Sequence, residues 1–595
     1  MAWRVGALCA LMALLAMVYQ IPESAISCYL LLFVMKPDKM ISMVMALAII
    51  ILVSIIIGLI FLILPYALGY PPVRMIVLVG SSFLFLWLGS ASKLGPVGSI
   101  IALVIAFIMS LLGEIPNGEL ATRAILYAWL MAASPMLLLI GFNLVAGRSS
   151  WTLLCASLSE RLTVAAEMLD RPDAANGEKL QQLLLEGQEE HQQRIMLIRL
   201  FSLRSAEQMN WMEAAITSSY RVLLATAALS SSLPQATREA LAESCRRAAD
   251  ALLKAEADRD AVPEGESEIH AALRTLRLPD SQAIPKAPKS TFMAADAFSN
   301  PVHVQFALKT TAASVICYFI YTVLDWQDIH TAMVTCYVAV LGTTGETIHK
   351  LALRITGCLI GATIGILSLI YIVPLTDDIG QLMVLVFLTL TLAAWVSSGN
   401  ERIAYGGIQI GLAFLLTVLH GFSPSSDLDV AFDRIAGILL GNIVIFIIFT
   451  LLWPVPIINS VRSRTDDAVS ALGRLAALPP LSRSQRTLEA SRVEENAAAA
   501  GELLKLVFFE PGPIRTSQAE NLRYRAILFE VKSLCPVLFL PIQQPQSEID
   551  RLCALSGKAK STAPDNLSVP DITAAQNETG ATVHQRIRRL KELLG

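Results

Sequence analysis

Three short stretches hold residues whose types and spacing can do chemistry inside an otherwise apolar chain. "DWQDIHTAMVTCY" sets Asp325, Trp326, Asp328 and His330 close together. An imidazole with carboxylates two and five residues before it titrates near neutral pH, which makes His330 a candidate for taking up and releasing a proton. Trp326 has a simpler alternative as an interfacial anchor. "GETIHKLALR" offers Glu346, His349, Lys350 and Arg354; it reads as a solvated loop in which Arg354 is the residue expected to face a pathway. "GNERIAYGGIQIGLAF" brings Glu401, Arg402 and Tyr405 to the mouth of an apolar segment and Gln409 inside it. Gln409 either bonds a neighbouring helix or lines a pathway, and Asn143 and Asn442 pose the same choice. Arg123 and the pair Asp433–Arg434 complete the set. A guanidinium fork can hold a carboxylate through two bonds, a geometry that lysine does not reproduce. The alternative is that each arginine snorkels to a membrane boundary or pairs with an acidic neighbour such as Glu119 or Asp433.

Glycines mark the helices that would position these groups. "RITGCLIGATIG" spaces Gly357, Gly361 and Gly365 four apart, and Gly437 and Gly441 repeat the spacing further on. Such a face lets a neighbouring helix approach closely, so helix packing is the expected role and a sliding surface for a substrate the alternative.

The composition makes the setting a bilayer: 595 residues with 54% hydrophobic and 16% charged side chains are too apolar for a water-soluble chain of this length. Residues 1–146 and 301–453 carry long charge-poor runs, while 147–300 and 454–595 have ordinary polarity. Net charge is −3 and no Lys/Arg-rich run stands out, which argues against nucleic acid as a partner. Nine cysteines lack metal-binding spacing; Cys9, Cys28, Cys317, Cys336 and Cys358 sit in apolar runs and read as small buried hydrophobes. No cofactor or metal is expected. No catalytic motif appears either: "LCALSGKAKST" (552–562) imitates a phosphate-binding loop but has Leu552 in place of the first glycine and Ala559 after Lys558. We therefore expect a non-enzyme.

A transmembrane helix needs about 20 apolar residues. Spans are expected near 1–20, 23–35, 42–64, 73–92, 96–113 and 121–146, and again near 306–324, 329–342, 351–373, 379–398, 403–420 and 430–453. The second span of each set is short. Sliding the chain by 308 residues matches Cys9 to Cys317, Ile21 to Ile329, Cys28 to Cys336 and Tyr29 to Tyr337. Nearby offsets match Pro65 to Pro374, Gly98 to Gly407 and Arg123 to Arg434. The expectation is an all-α polytopic membrane protein of two parallel six-helix repeats, each followed by a helical domain. The N-terminal run, which has the look of a secretory signal, has an internal counterpart and is expected to stay as a transmembrane helix.

Lys36, Lys39, Lys93, Arg148, Lys350, Arg354, Arg402, Arg462 and Arg464 fall on one side of this arrangement. By the positive-inside rule that side, with both polar blocks, is cytoplasmic. The polar blocks show apolar residues at helical spacing, and "LPDSQAIPKAPKS" (278–290) reads as a linker.

"MAADAFSNPVHVQFALKTTAASVICYFIYTVLDWQDIHTAMVTCYVAV", "HKLALRITGCLIGATIG" and the closing "DRIAGILLGNIVIFIIFTLLWP" resemble the fusaric acid resistance and aromatic acid exporter family. Within it they are most similar to the inner-membrane multidrug resistance component of a tripartite efflux system. The resemblance implies export of aromatic carboxylic acids or related toxic compounds from a bacterial inner membrane, driven by the proton gradient, beside a periplasmic membrane-fusion adaptor and an outer-membrane channel. A homo-oligomer is compatible with it. The family's lead before the first span, like "FMAADAFSNPVHVQ" before the seventh, has no counterpart ahead of Met1. Two other readings remain at this level: a passive organic-anion channel and a membrane scaffold that transports nothing.

Overall fold

The computed structural model describes residues 1–594 apart from 22–23, 114–116, 202–203, 230–232, 255–264, 266, 278–290, 295, 327–328, 421–422, 425–427, 542–544, 556 and 558–582. Asp328, the linker 278–290 and most of the phosphate-loop imitation lie outside the described residues. The chain divides into two units: residues 1–148 with 289–455, and residues 149–288 with 456–595.

The first unit holds twelve helices. In its first half these are α1 (Ala2–Val18), α2 (Ser24–Val34), α3 (Lys39–Gly69), α4 (Pro71–Ala91), α5 (Pro96–Leu111) and α6 (Gly118–Ala146). The second half contributes α13 (Pro301–Val323), α14 (Thr331–Ala339), α15 (Thr344–Tyr371), α16 (Ile379–Gly399), α17 (Glu401–Val418) and α18 (Leu428–Leu451). Between the halves, and belonging to the second unit, lie α7 (Ser150–Asp170), α8 (Ala174–Leu185), α9 (Glu189–Phe201), α10 (Ala206–Leu229), α11 (Gln235–Leu253) and α12 (Glu268–Arg277). After them come α19 (Ile457–Ala477), α20 (Arg483–Leu506), α21 (Gln518–Phe539), α22 (Gln546–Cys553) and α23 (Val583–Leu594). A minimal hairpin of two-residue strands, 419–420 and 423–424, joins α17 to α18.

Local chemistry sets the helix starts. The Asp38 carboxylate accepts from the backbone N–H groups of Met40 and Ile41, capping α3, and Asn300 caps α13 by accepting from the Val302 N–H. Proline, which has no N–H to satisfy, opens α4, α5 and α13.

Among the described residues seven helices are long and apolar enough to cross a membrane: α3, α4, α6, α13, α15, α16 and α18. The chain is thus an all-α multi-pass membrane protein, with fewer full-length spans than the twelve expected. α2 and α14 have 11 and 9 residues. At 1.5 Å per residue they reach about 16 and 13 Å, short of a hydrocarbon core of about 30 Å. They lie inside the unit, with Cys28 and Leu31 of α2 and Ala332, Met333 and Cys336 of α14 fully buried.

Packing within this unit is reciprocal. α1 packs on α16 and α13 on α4; α2 packs on α17 and α14 on α5. Gly98 and Gly407 do the same job in the two halves. A Cβ on Gly98 would meet the Phe85 carbonyl and Gly89 of α4; one on Gly407 would lie 2.5 Å from the Ser397 nitrogen and 2.8 Å from the Ala393 oxygen of α16.

In the second unit the two polar blocks share one core, with Leu154, Leu158, Tyr220, Leu472 and Tyr524 among its fully buried members. Arg221 and Glu268 form an ion pair inside it, and buried Arg486 donates to the Leu478 carbonyl at the end of α19 and to the Leu538 and Leu540 carbonyls at the end of α21.

Candidate functional site

Thr343 and Glu346 decide where the site lies. The Thr343 hydroxyl accepts from the Glu346 N–H at 3.3 Å and donates to its carboxylate at 2.6 Å, so α15 starts at Thr344. Lys350 and Arg354 therefore sit within the helix, where the sequence reading had placed a solvated loop and a span beginning at 351. The signal for this was present in the sequence as T-x-x-E just before an apolar run. Ten residues separate Arg354 from Thr344. That puts Arg354 about 15 Å along a membrane-crossing helix of 28 residues.

Arg354 is 3% exposed. Its Nη1 donates to the Tyr405 hydroxyl at 3.0 Å, its Nη2 to the Thr335 hydroxyl at 3.1 Å, and its Nε has no partner. Lys350, one helical turn away on the same face, stacks its ammonium over the Tyr405 ring, 4.9 Å from the centroid. On the other side of Arg354, the Cys358 thiol points to the Gln409 side-chain oxygen at 3.8 Å, and the Gln409 amide nitrogen is buried without a partner. Tyr29, from α2 of the first half, interacts with Arg354, Tyr405, Cys358 and Gln409. Among the described residues, the hydrogen-bond partners of Arg354 are hydroxyl groups and none is a carboxylate.

The glycine face of α15 makes this closeness attainable. A Cβ on Gly357 would lie 2.6 Å from the Gly406 oxygen and 2.8 Å from the Gln409 Cβ; one on Gly361 would run into the Ile410 oxygen, and one on Gly365 into Thr417. In the same way Gly437 of α18 lies against Ile329 and Thr331, and Gly441 against Ala332 and Thr335 of α14.

A second group gathers at the other end of α13 and α14. The Trp326 indole N–H donates to the Asp433 carboxylate at 3.1 Å, Arg434 is buried, and the His330 ring packs on Phe107 with centroids 5.4 Å apart. Asp325 is exposed, in a turn with φ of 52°. The remaining candidates stand apart. Arg123 is exposed and paired with Glu119 at 2.6 Å, while Glu401 and Arg402 are exposed on the first turn of α17. Tyr29, Thr335 and Cys358 escaped the sequence reading because nothing in their local sequence marks them; only the packing of α2, α14 and α15 around Arg354 does.

A charged side chain buried among apolar helices with only neutral hydrogen-bond partners has hydrogen-bonding capacity that an anion could use. Insertion scales put the cost of such a charge at about 2.5–3.5 kcal/mol, and a carboxylate can offset it through two bonds to one guanidinium. Residues 316–448, which include every member of this cluster except Tyr29, match the family described as fusaric acid resistance protein-like. That match covers the second half of the membrane unit. It is also similar to the multidrug resistance protein MdtO of Escherichia coli strain K12, with 27% identity over 509 residues covering 80% of this chain and 72% of the relative. The corresponding protein of Shigella flexneri is 28% identical over 509 residues, with the same coverage. With these similarities and its membrane-crossing helices, the chain is a membrane efflux or transport component.

Proposed function

We propose that the chain is the inner-membrane subunit of an exporter of aromatic carboxylic acids and related toxic or drug-like compounds, and that Arg354 holds the acid's anion midway across the bilayer. The observation that carries this is the burial of Arg354 within a membrane-crossing helix, with hydroxyl groups alone as hydrogen-bond partners. Tyr405 and Tyr29 add aromatic surface beside the charge, which suits a ring attached to a carboxylate. Proton coupling would use the other group, where His330 lies near Trp326, Asp433 and Arg434. A periplasmic membrane-fusion adaptor and an outer-membrane channel would carry the product onward, as the family resemblance implies.

The test is resistance of a deletion strain to aromatic acids, restored by plasmid copies with and without the adaptor genes. Arg354→Gln should abolish protection at normal membrane abundance, and Arg354→Lys should restore only part of it because the fork is lost. Full protection by Arg354→Gln would overturn the role of Arg354. Acid flux that ignores the proton gradient would identify a passive anion channel instead.

A further inference from the structure

Asn442 is a buried polar residue of the membrane unit that this reading does not use. It is 4% exposed, and neither its side-chain oxygen nor its nitrogen has a hydrogen-bond partner. An asparagine that serves to pack helices bonds across to its neighbour. Asn442 makes no such bond.

Its position follows from the helix register. α15 and α18 run in opposite directions, because Val455, just past the end of α18, exchanges hydrogen bonds with Thr344 at the start of α15. Ile438 of α18 packs with Cys358 of α15 and Ala413 of α17. One turn onward from Ile438 is Asn442, and one turn back from Cys358 is Arg354. Both steps lead toward the same end of the unit, and residues four apart share a helix face. Asn442 thus lies on the α15-facing side of α18 at the level of Arg354. Gly441 beside it rests on Thr335, the residue that accepts from Arg354.

We infer that Asn442 is a specificity-determining residue of the Arg354 site, receiving a neutral group that both donates and accepts, such as a hydroxyl or carboxamide, on an acid whose carboxylate Arg354 holds. This rests on the reading of Arg354 as the anion site. An amide offers one acceptor and two donors, so it matches such a group and gains nothing from a methyl. A site whose buried polar atoms are left unpaired rejects the analogue that lacks the matching group.

The probes are benzoates bearing a methyl, hydroxymethyl or carbamoyl group at the meta or para position, titrated calorimetrically into the purified full-length protein. Wild type should bind the best polar-substituted acid about tenfold or more tighter than its methyl analogue. Asn442→Leu, of similar volume, should bring that ratio to about one while leaving affinity for the methyl analogue within about twofold. If Asn442→Leu does not reach the membrane, Asn442→Ala is read by the same ratio. Wild type without preference at either ring position overturns the inference, as does a variant that keeps the preference or loses both ligands equally. Binding that Arg354→Gln abolishes while the preference survives removal of the Asn442 amide sinks this inference alone. Failure of wild type to bind any of the acids overturns the anion site as well.

Discussion

Burial sets the behaviour of individual charged groups in both units. In the second unit, Glu494 is almost fully enclosed, and burial pushes its carboxyl from 4.5 up to about 7 against the smaller opposing effects of Lys532 and Cys535. The folded value lies above the unfolded one, so the folded state binds more protons between these limits. Its stabilising contribution is complete below about pH 4.5 and is lost as pH rises through about 7, by roughly 3 kcal/mol in total. Glu494→Gln should leave the melting temperature unchanged near pH 4.5 and raise it near pH 8; an equal rise at both would show that the carboxyl does not titrate as described. Arg123 and Arg434, which the sequence reading aligned with one another, part company in the same way. Arg123 is a surface residue paired with Glu119, and such pairs contribute little. Arg434 is buried, where the shape of the guanidinium counts. Arg123→Lys should leave efflux and membrane abundance unchanged, whereas Arg434→Lys should reduce one or both. Equal tolerance of the two would refute the distinction.

Helix contacts in the membrane unit depend on particular glycines, and neighbours of the same type are dispensable. A side chain at Gly361 has the Ile410 oxygen and Ala413 in its way, and one at Gly441 has the Ala332 oxygen 2.6 Å off, while a Cβ on Gly80 meets nothing within 4 Å. Overpacking of this kind costs about 1–3 kcal/mol. Gly361→Leu and Gly441→Leu should lower membrane abundance and thermal stability, and Gly80→Leu should do neither, as immunoblots and melting curves will report. These glycines were legible in the sequence, since four-residue spacing in an apolar run has one simple reading. So were the helix ends set by proline or asparagine, and the shortness of α2 and α14. The start of α15 was legible too, in the Thr343–Glu346 capping box, but the polarity of His349, Lys350 and Arg354 favours a solvated loop and masks it. The sequence could not bring Tyr29 to Arg354, since that neighbourhood arises from packing between elements more than 300 residues apart.

At the scale of the whole molecule, the membrane unit sorts its charged turns by end. Lys39 and Arg148 meet through a backbone hydrogen bond, Lys93 bonds the Phe292 carbonyl just before α13, and Thr344 meets Val455. The turns at the opposite ends of these helices hold Glu119 with Arg123, Asp325, Asp377 and Asp378. By the positive-inside rule the end with Lys39, Lys93 and Arg148 is expected to face the cytoplasm, and the chain leaves the unit at Arg148 and Val455. The second unit should therefore be cytoplasmic. Cys155 and Cys245 cannot report this, being 3% and 0% exposed, but Cys553 is exposed on the second unit. A membrane-impermeant maleimide should fail to label Cys553 in intact spheroplasts and should label it in inside-out vesicles. Asp377→Cys, on the turn between α15 and α16, should show the reverse pattern. Labelling of Cys553 in intact spheroplasts, with Asp377→Cys silent, would invert the topology; it would also turn the Arg354 site to face the opposite gradient, making the same anion-binding arginine part of an importer.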